Sequence, residues 1–164
     1  MEAWASEEVE MLKQGDRLPE LELPDETGKE RSFEDLARRK GLVIYVYPKD
    51  STPGCTLEAQ EFSEQLPAFR RLGWEVVGLS RDSVKSHCGF IEKQGLSVSL
   101  LSDPDGAFIR ALGAWGPKKM GGKEYEGILR TTFVVGADKA ILKVYPAVKA
   151  SGHAQAVLAD LRGS

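Results

Sequence analysis

Cysteine and histidine are both scarce in this chain, two of each, and neither pair has a useful spacing. Cys55 is followed by Thr-Leu-Glu58, so there is no Cys-x-x-Cys dithiol of the thioredoxin type. His87 and His153 are far apart and no cysteine pair accompanies them. They are expected at the surface or at helix ends, and no metal or other cofactor is expected. Long apolar runs are missing too. The longest, Leu42 to Tyr47, has strand length, whereas a membrane span needs about 18 residues. There is no basic excess: the net charge is -3, which argues against a nucleic-acid binder. The first residues, Met-Glu-Ala-Trp-Ala-Ser-Glu-Glu, are acidic and hold no apolar segment, so a secretory signal is not expected and the default location is cytoplasmic. There the two cysteines are redox-active or simply buried rather than a permanent staple. No repeat or low-complexity tract is present.

What is present suits one globular domain: 164 residues, 41% hydrophobic and 29% charged. Residues 1–14 read as a terminal extension, with a short amphipathic helix over 4–14 on Trp4, Val9, Met11 and Leu12; the domain proper spans 15–164. Gly15 to Pro24 has the apolar–polar pattern of a half-buried strand, with Leu18, Leu21 and Leu23 as its apolar members. Ser32 can cap a short helix through Arg39. Leu42 to Tyr47 reads as a central strand buried on both faces. A helical pattern runs from Cys55 to Leu72, and Pro67 should kink or break it. Trp74 to Ser80 is a second apolar strand. Asp82 or Ser83 caps a helix to Gln94, stopped by Gly95. Val98 to Leu101 is a short strand, and Asp103-Pro-Asp-Gly106 opens a short helix to Leu112. Residues 113–127, rich in glycine and lysine, read as a loop. Ile128 to Val135 and Ala140 to Tyr145 form a hairpin, and Ser151 caps a last helix. The crossovers imply parallel strands and the hairpin antiparallel ones. The fold class is therefore α/β, a mixed central sheet with helices on both faces.

The informative segment is Tyr47-Pro-Lys-Asp-Ser-Thr-Pro-Gly-Cys55-Thr. A buried strand feeds a tight loop, and Cys55 opens the helix that follows. The unpaired N–H groups and the positive dipole end of a first helical turn both favour a thiolate. Pro48 and Pro53 stiffen the loop, Gly54 leaves the backbone open to a small ligand, and Thr52 can place its hydroxyl over the same pocket. A buried structural cysteine at a helix start is the competing reading.

Pro48-x-x-x-Thr52-x-x-Cys55 resembles the Pro-Thr-Cys motif of peroxiredoxins. The longer string Tyr-Pro-Lys-Asp-Ser-Thr-Pro-Gly-Cys-Thr-x-Glu-Ala resembles the bacterioferritin-comigratory-protein, or PrxQ, branch. Further segments resemble that branch in the same order: Ser80 to His87, Leu101 to Asp105, Gly122 to Phe133 and Lys149 to His153. Together the likeness spans roughly residues 15 to 163. It implies a thioredoxin-like fold and the reduction of hydrogen peroxide and organic hydroperoxides. By residue, it implies that Cys55 is the peroxidatic cysteine, that Thr52 binds the peroxide, that Pro48 shields the pocket, and that Arg130 holds the thiolate and the peroxide oxygens. The chemistry agrees, because a cation at the start of an apolar strand needs a partner and a guanidinium can donate to both reacting oxygens. A rim arginine in a surface ion pair is the alternative. Glu58 matches a glutamate of that branch and reads as support for the first turn and for Arg130, not as a base.

A sulfenic acid on Cys55 must be resolved by a second thiol. Many members of the branch carry that thiol five residues after the first, where this chain has Gln60, which excludes that arrangement; others carry it on the next helix, where Cys88 lies, at a position that varies. Cys88 also shares a helical face with Val84 and Ile91, so a small buried hydrophobe is the other reading. The resemblance further implies thioredoxin or a similar thiol reductant as partner, and a monomer. A one-cysteine peroxidase resolved by an external thiol, or a redox sensor using the same sulfenic acid, remain open. Gly116-Pro-Lys-Lys-Met-Gly-Gly-Lys123 superficially looks like a phosphate loop, but its spacing is off and Glu124 stands where Ser or Thr is needed. It reads as a solvated loop near the active site.

Overall fold

Leu42 to Tyr47 is fully buried, as expected of a run that is apolar on both faces. In the computed structural model, which describes residues 10–163, this run forms strand β3 (Gly41–Val46) and continues into the loop that follows. Before it come a small antiparallel pair, β1 (Glu22–Pro24) and β2 (Glu30–Ser32), and helix α1 (Phe33–Leu36). After it come α2 (Pro53–Arg71), β4 (Trp74–Ser80), α3 (Val84–Gln94), β5 (Ser99–Ser102) and α4 (Ala107–Ala111). The chain ends with β6 (Trp115–Met120), β7 (Lys123–Ile128), β8 (Thr131–Gly136), β9 (Ile141–Tyr145) and α5 (His153–Arg162).

Among the described residues the main sheet has the order β5-β4-β3-β8-β9. β3, β4 and β5 are parallel, β8 runs antiparallel to β3, and β9 runs antiparallel to β8. Alternation along β3 divides the core in two. Val43, Tyr45 and Tyr47 join Cys55, Phe62, Phe69, Phe90 and Val157 on one face. Leu42, Ile44 and Val46 join Phe33, Ile109 and Phe133 on the other. Each valine, leucine, isoleucine or phenylalanine among them stabilises the fold by roughly 1.5–3 kcal/mol when fully buried. Tyr45 stacks on Tyr47 and Phe62, with ring centroids 5.5 and 4.6 Å away. Its ring lies over Gly78, its register partner on β4, where an added Cβ would come within 2.7 Å of the ring.

Several local expectations need correction. Residues 1–9, most of the expected first helix, lie outside the described residues, and residues 10–14 are not helical: the Leu12 N–H donates to the Leu112 carbonyl at 3.0 Å. Over Gly15 to Pro24 only Glu22–Pro24 is a strand, with a single bridge from Arg17 to Ala140. Leu18 and Leu21 are buried all the same, but they are not spaced as a strand requires and Pro19 lacks a ladder donor. The helix at Ser32 closes after Leu36, although Ser32 and Asp35 do form a capping box. Pro67 does not end α2, which runs on to Arg71. Its ring is exposed while Leu66, Ala68 and Phe69 beside it are buried. That burial outweighs the roughly 3 kcal/mol that an interior proline costs. The last helix is capped by Gly152, not Ser151, and the Gly152 N–H donates to Glu61 at 2.9 Å.

The largest correction concerns residues 113–127. They are not a loop but most of an antiparallel β6–β7 hairpin, which turns at Gly121 and Gly122 with φ of 59° and 82°. Two positive φ angles at the tip suit the tight turns that glycine favours. The strands are polar because much of their length is exposed, and this removed the apolar alternation by which a strand is recognised.

Candidate active site

The loop after β3 delivers Cys55 to the first turn of α2. Thr52 is the extended N-cap residue and Pro53 the first helical one, a position where the missing N–H costs nothing. Cys55 is 1% exposed. Its sulfur accepts a hydrogen bond from Arg130 Nη2 at 3.2 Å, and Arg130 Nη1 donates to Glu58 Oε1. One guanidinium thus bridges the thiol and a buried carboxylate one helical turn further along. Arg130 sits just before β8, and its carbonyl accepts from the Val148 N–H at 3.0 Å. Gly54 lies close under the guanidinium, and a Cβ at that position would sit 3.4 Å from Arg130 Nη2, in ordinary contact. The Thr52 hydroxyl donates to the Lys49 carbonyl at 2.9 Å, which leaves its oxygen lone pairs as acceptors. Pro48 is half-buried at the start of the same loop.

Cys88 is exposed on α3, and both thiols are free. The buried residues of α3 are His87 and Phe90, with Val84 and Ile91 only partly covered. Ile91 still packs against the core from the border of the face it shares with Val84 and Cys88, but Cys88 itself is exposed, so its reading as a small buried hydrophobe is set aside. Gln60, on α2, is exposed and donates to Gln94 at 3.2 Å.

Both histidines lie near the starts of helices, as one of the two expectations had it, but neither is at the surface: His87 is 0% and His153 8% exposed. His153 Nε2 lies 2.8 Å from the Thr132 hydroxyl, and its ring meets Phe62 and Tyr145 edge-on. His87 belongs to a polar cluster with Tyr47, Asp50, Asp82 and Ser86. Asp50, Asp82 and His87 bring donor atoms within 4.8 Å of one another, but these atoms take up internal hydrogen bonds from Tyr47, Ser80 and Ser86. The cluster escaped the sequence reading. Its signal was the placement of His87 three residues before Phe90 on one helical face. Lys118 also went unremarked. Its ammonium donates to the Ile128 carbonyl at 2.8 Å, and burial followed by the Arg130 charge holds it below the ordinary lysine value.

Two buried groups should make stability depend on pH in opposite senses. Burial pushes the Glu58 carboxyl up to about 7, against the pull of Arg130. Between about 4.5 and 7 the folded protein keeps a proton that the unfolded chain has released, so this group makes stability fall as pH rises through that window. Burial and then the Arg130 charge push His153 down to about 4. Between about 4 and 6.5 the unfolded chain holds the extra proton, so this group makes stability rise with pH. Relative to wild type, Glu58→Gln should therefore gain stability with rising pH, and His153→Gln should lose it. Urea midpoints measured from pH 4 to 7.5 read both slopes; two variants that run parallel to wild type would refute the assignment.

A buried thiol at a helix start, bonded to an arginine beside a mixed α/β sheet, is an arrangement suited to a cysteine-dependent peroxidase. Comparison with known proteins agrees. Residues 14–144 match the model of the AhpC/TSA family. The chain is 42% identical over 153 residues to a protein named putative peroxiredoxin bcp from Helicobacter pylori, covering 93% of this chain and 100% of that one. It is 49% identical over 121 residues to peroxiredoxin Bcp of Xanthomonas campestris, covering 74% and 76% of the two chains. Among solved structures, the Xanthomonas campestris bacterioferritin comigratory protein, studied for alkyl peroxide reduction, superposes with a TM-score of 0.82 at 40% identity, over 93% of this chain and 96% of that one. A cysteine-to-serine variant of Xylella fastidiosa PrxQ superposes with a TM-score of 0.86 at 36% identity, over 94% and 98%. The chain belongs to the AhpC/TSA family, among the peroxiredoxins called Bcp or PrxQ. It is a thiol-dependent peroxidase, and its α/β fold is the thioredoxin-like fold of that family.

Proposed function

We propose that Cys55 is the peroxidatic cysteine and Cys88 the resolving one, within a thioredoxin-like domain over residues 15–164 that follows an extension over 1–14. The observation that carries this reading is the Arg130 guanidinium, shared between the Cys55 sulfur and Glu58. The Cys55 thiolate attacks one oxygen of hydrogen peroxide or an organic hydroperoxide. The O–O bond breaks, the leaving hydroxide or alkoxide takes up a proton, and Cys55 becomes a sulfenic acid. Arg130 donates to the reacting oxygens, where charge develops. Thr52, its own proton directed at Lys49, accepts the hydrogen bond of the peroxide O–H. Pro48 shields the pocket. Glu58 orients Arg130 and is not a base. The Cys88 thiol then attacks the Cys55 sulfur, forming a disulfide and releasing water. Thioredoxin or a similar dithiol, acting on a cytoplasmic monomer, returns both thiols.

Cys88→Ser tests the second half of the cycle. After one equivalent of peroxide, wild type should lose two free thiols and show a Cys55–Cys88 disulfide by mass spectrometry. The variant should hold a sulfenic acid and pass more readily to sulfinic acid under excess peroxide. Identical behaviour of the two proteins would assign resolution to an external thiol. The exposure of Cys88, unlike buried Cys55, supports a thiol within reach of a partner.

A further inference from the structure

The polar cluster at the carboxyl ends of β3, β4 and β5 takes no part in the chemistry above, yet it joins the two segments that carry the cysteines. Asp50 lies in the loop that leads to Cys55 and is 5% exposed. One of its carboxylate oxygens accepts from the Tyr47 hydroxyl at 2.5 Å. The other meets the Ser86 hydroxyl and His87 Nδ1, both at 2.8 Å. The Asp50 N–H donates to Asp82 at 2.9 Å, and Asp82 is itself held by the Ser80 hydroxyl at 2.6 Å. The other nitrogen of His87, Nε2, lies 2.9 Å from the Leu101 carbonyl. A carbonyl only accepts, so Nε2 is the side of the ring that donates to Leu101, while Nδ1 faces the Asp50 carboxylate. His87, fully buried, thus pins the first turns of α3 to β5 on one side and to the Cys55 loop on the other. The next residue is Cys88, which faces solvent.

Cys55 is buried and Cys88 is exposed, so a disulfide between them requires one segment to leave its place. We propose that Asp50, Ser86 and His87 form a latch whose opening sets how fast the Cys55 sulfenic acid meets Cys88. This rests on reading Cys88 as the resolving thiol. While the latch is closed the sulfenic acid stays in its pocket, where a second peroxide can oxidise it further. When the latch opens, the loop and the start of α3 come free together, the Cys88 thiol attacks the Cys55 sulfur, and water leaves. These residues are positioning residues, since none of them touches the peroxide or the sulfur.

The two nitrogens of His87 can be tested separately. Asparagine can keep a donor near the Nδ1 position and so the tie to Asp50; glutamine can keep one near Nε2 and so the tie to Leu101, while the tie to Asp50 is lost. Hydrogen bonds to charged groups are worth about tenfold or more in an equilibrium. After one equivalent of peroxide, Ser86→Ala and His87→Gln should therefore form the disulfide about tenfold faster and yield less sulfinic acid. The rate of the first oxidation should not change, and His87→Asn should stay near wild type. Unchanged disulfide rates in both Ser86→Ala and His87→Gln would overturn the latch. Amide hydrogen exchange in the reduced proteins separates the latch from the role of Cys88. Residues 49–54 and 84–90 should exchange faster together in Ser86→Ala and His87→Gln, whether or not wild type forms the disulfide. Acceleration in one segment alone, or in neither, would overturn the latch even if Cys88 proves to be the resolving thiol. Ser86→Ala removes one hydroxyl from a half-buried site, so it tests the latch even if His87→Gln fails to fold.

Discussion

Cys55→Ser should take multi-turnover peroxide reduction down to the buffer blank while leaving the protein folded. Loss of a covalent nucleophile can cost on the order of a millionfold, and a serine hydroxyl is hardly ionised at neutral pH. The fold should survive because the site offers the new hydroxyl what a buried polar group needs. Arg130 Nη2 lies 3.2 Å from the sulfur and can donate to an oxygen there, so the unpartnered burial that makes such replacements costly is avoided. A change in unfolding free energy of about 1 kcal/mol or less is expected. Thermal unfolding checks the fold, and peroxide consumption with excess dithiol checks the chemistry. Activity above a few per cent of wild type, on folded protein, would move the nucleophile away from Cys55.

The elements that proved legible were those in which local and tertiary demands coincide. Leu42 to Tyr47 is apolar on both faces and belongs to a strand covered on both faces. Ser83 and Gly95 bracket α3 as its N-cap and its left-handed C-cap. The resemblance to peroxiredoxins pairs Cys55 with Arg130 before any geometry is available, and the chemistry agrees, because a thiolate and a strand-start cation each need a partner. The failures share a different cause. The β6–β7 hairpin reaches the core only at its base, through Trp115 and Ile128, and is otherwise held by its own ladder, so Lys118, Lys119, Glu124 and Glu126 conceal its strands. His87 was misplaced because polarity was equated with exposure; its side chain is affordable inside only because Asp50 and the Leu101 carbonyl meet its two ring nitrogens. Both acceptors are distant in sequence. Burial of that kind is decided by tertiary partners, which no periodicity reveals.

Arg130→Ala should slow the oxidation of Cys55 by about a hundredfold or more, the usual cost of losing a donor aimed at developing charge. The deficit should persist at about pH 10, above the ordinary cysteine value, where thiolate supply no longer limits the rate. If alkaline pH restored the full rate, Arg130 would serve only to favour the thiolate. The replacement also leaves Glu58 alone in the core, 1% exposed and with Oε2 already lacking a partner. Breaking a buried pair in this way typically costs about 3–5 kcal/mol, less whatever the carboxyl recovers by taking up a proton. Loss of rate could then be mistaken for loss of fold. Arg130→Met combined with Glu58→Gln removes both charges together and should recover most of the stability, yet remain as slow as Arg130→Ala. Arg130→Lys keeps the charge but has a single ammonium where the native guanidinium serves two partners at once, sulfur and carboxylate. It should fall between the two in stability and stay well below wild type in rate. A double variant that regained both stability and rate would mean that Arg130 acts by neutralising Glu58, and that the peroxide oxygens are held by other donors.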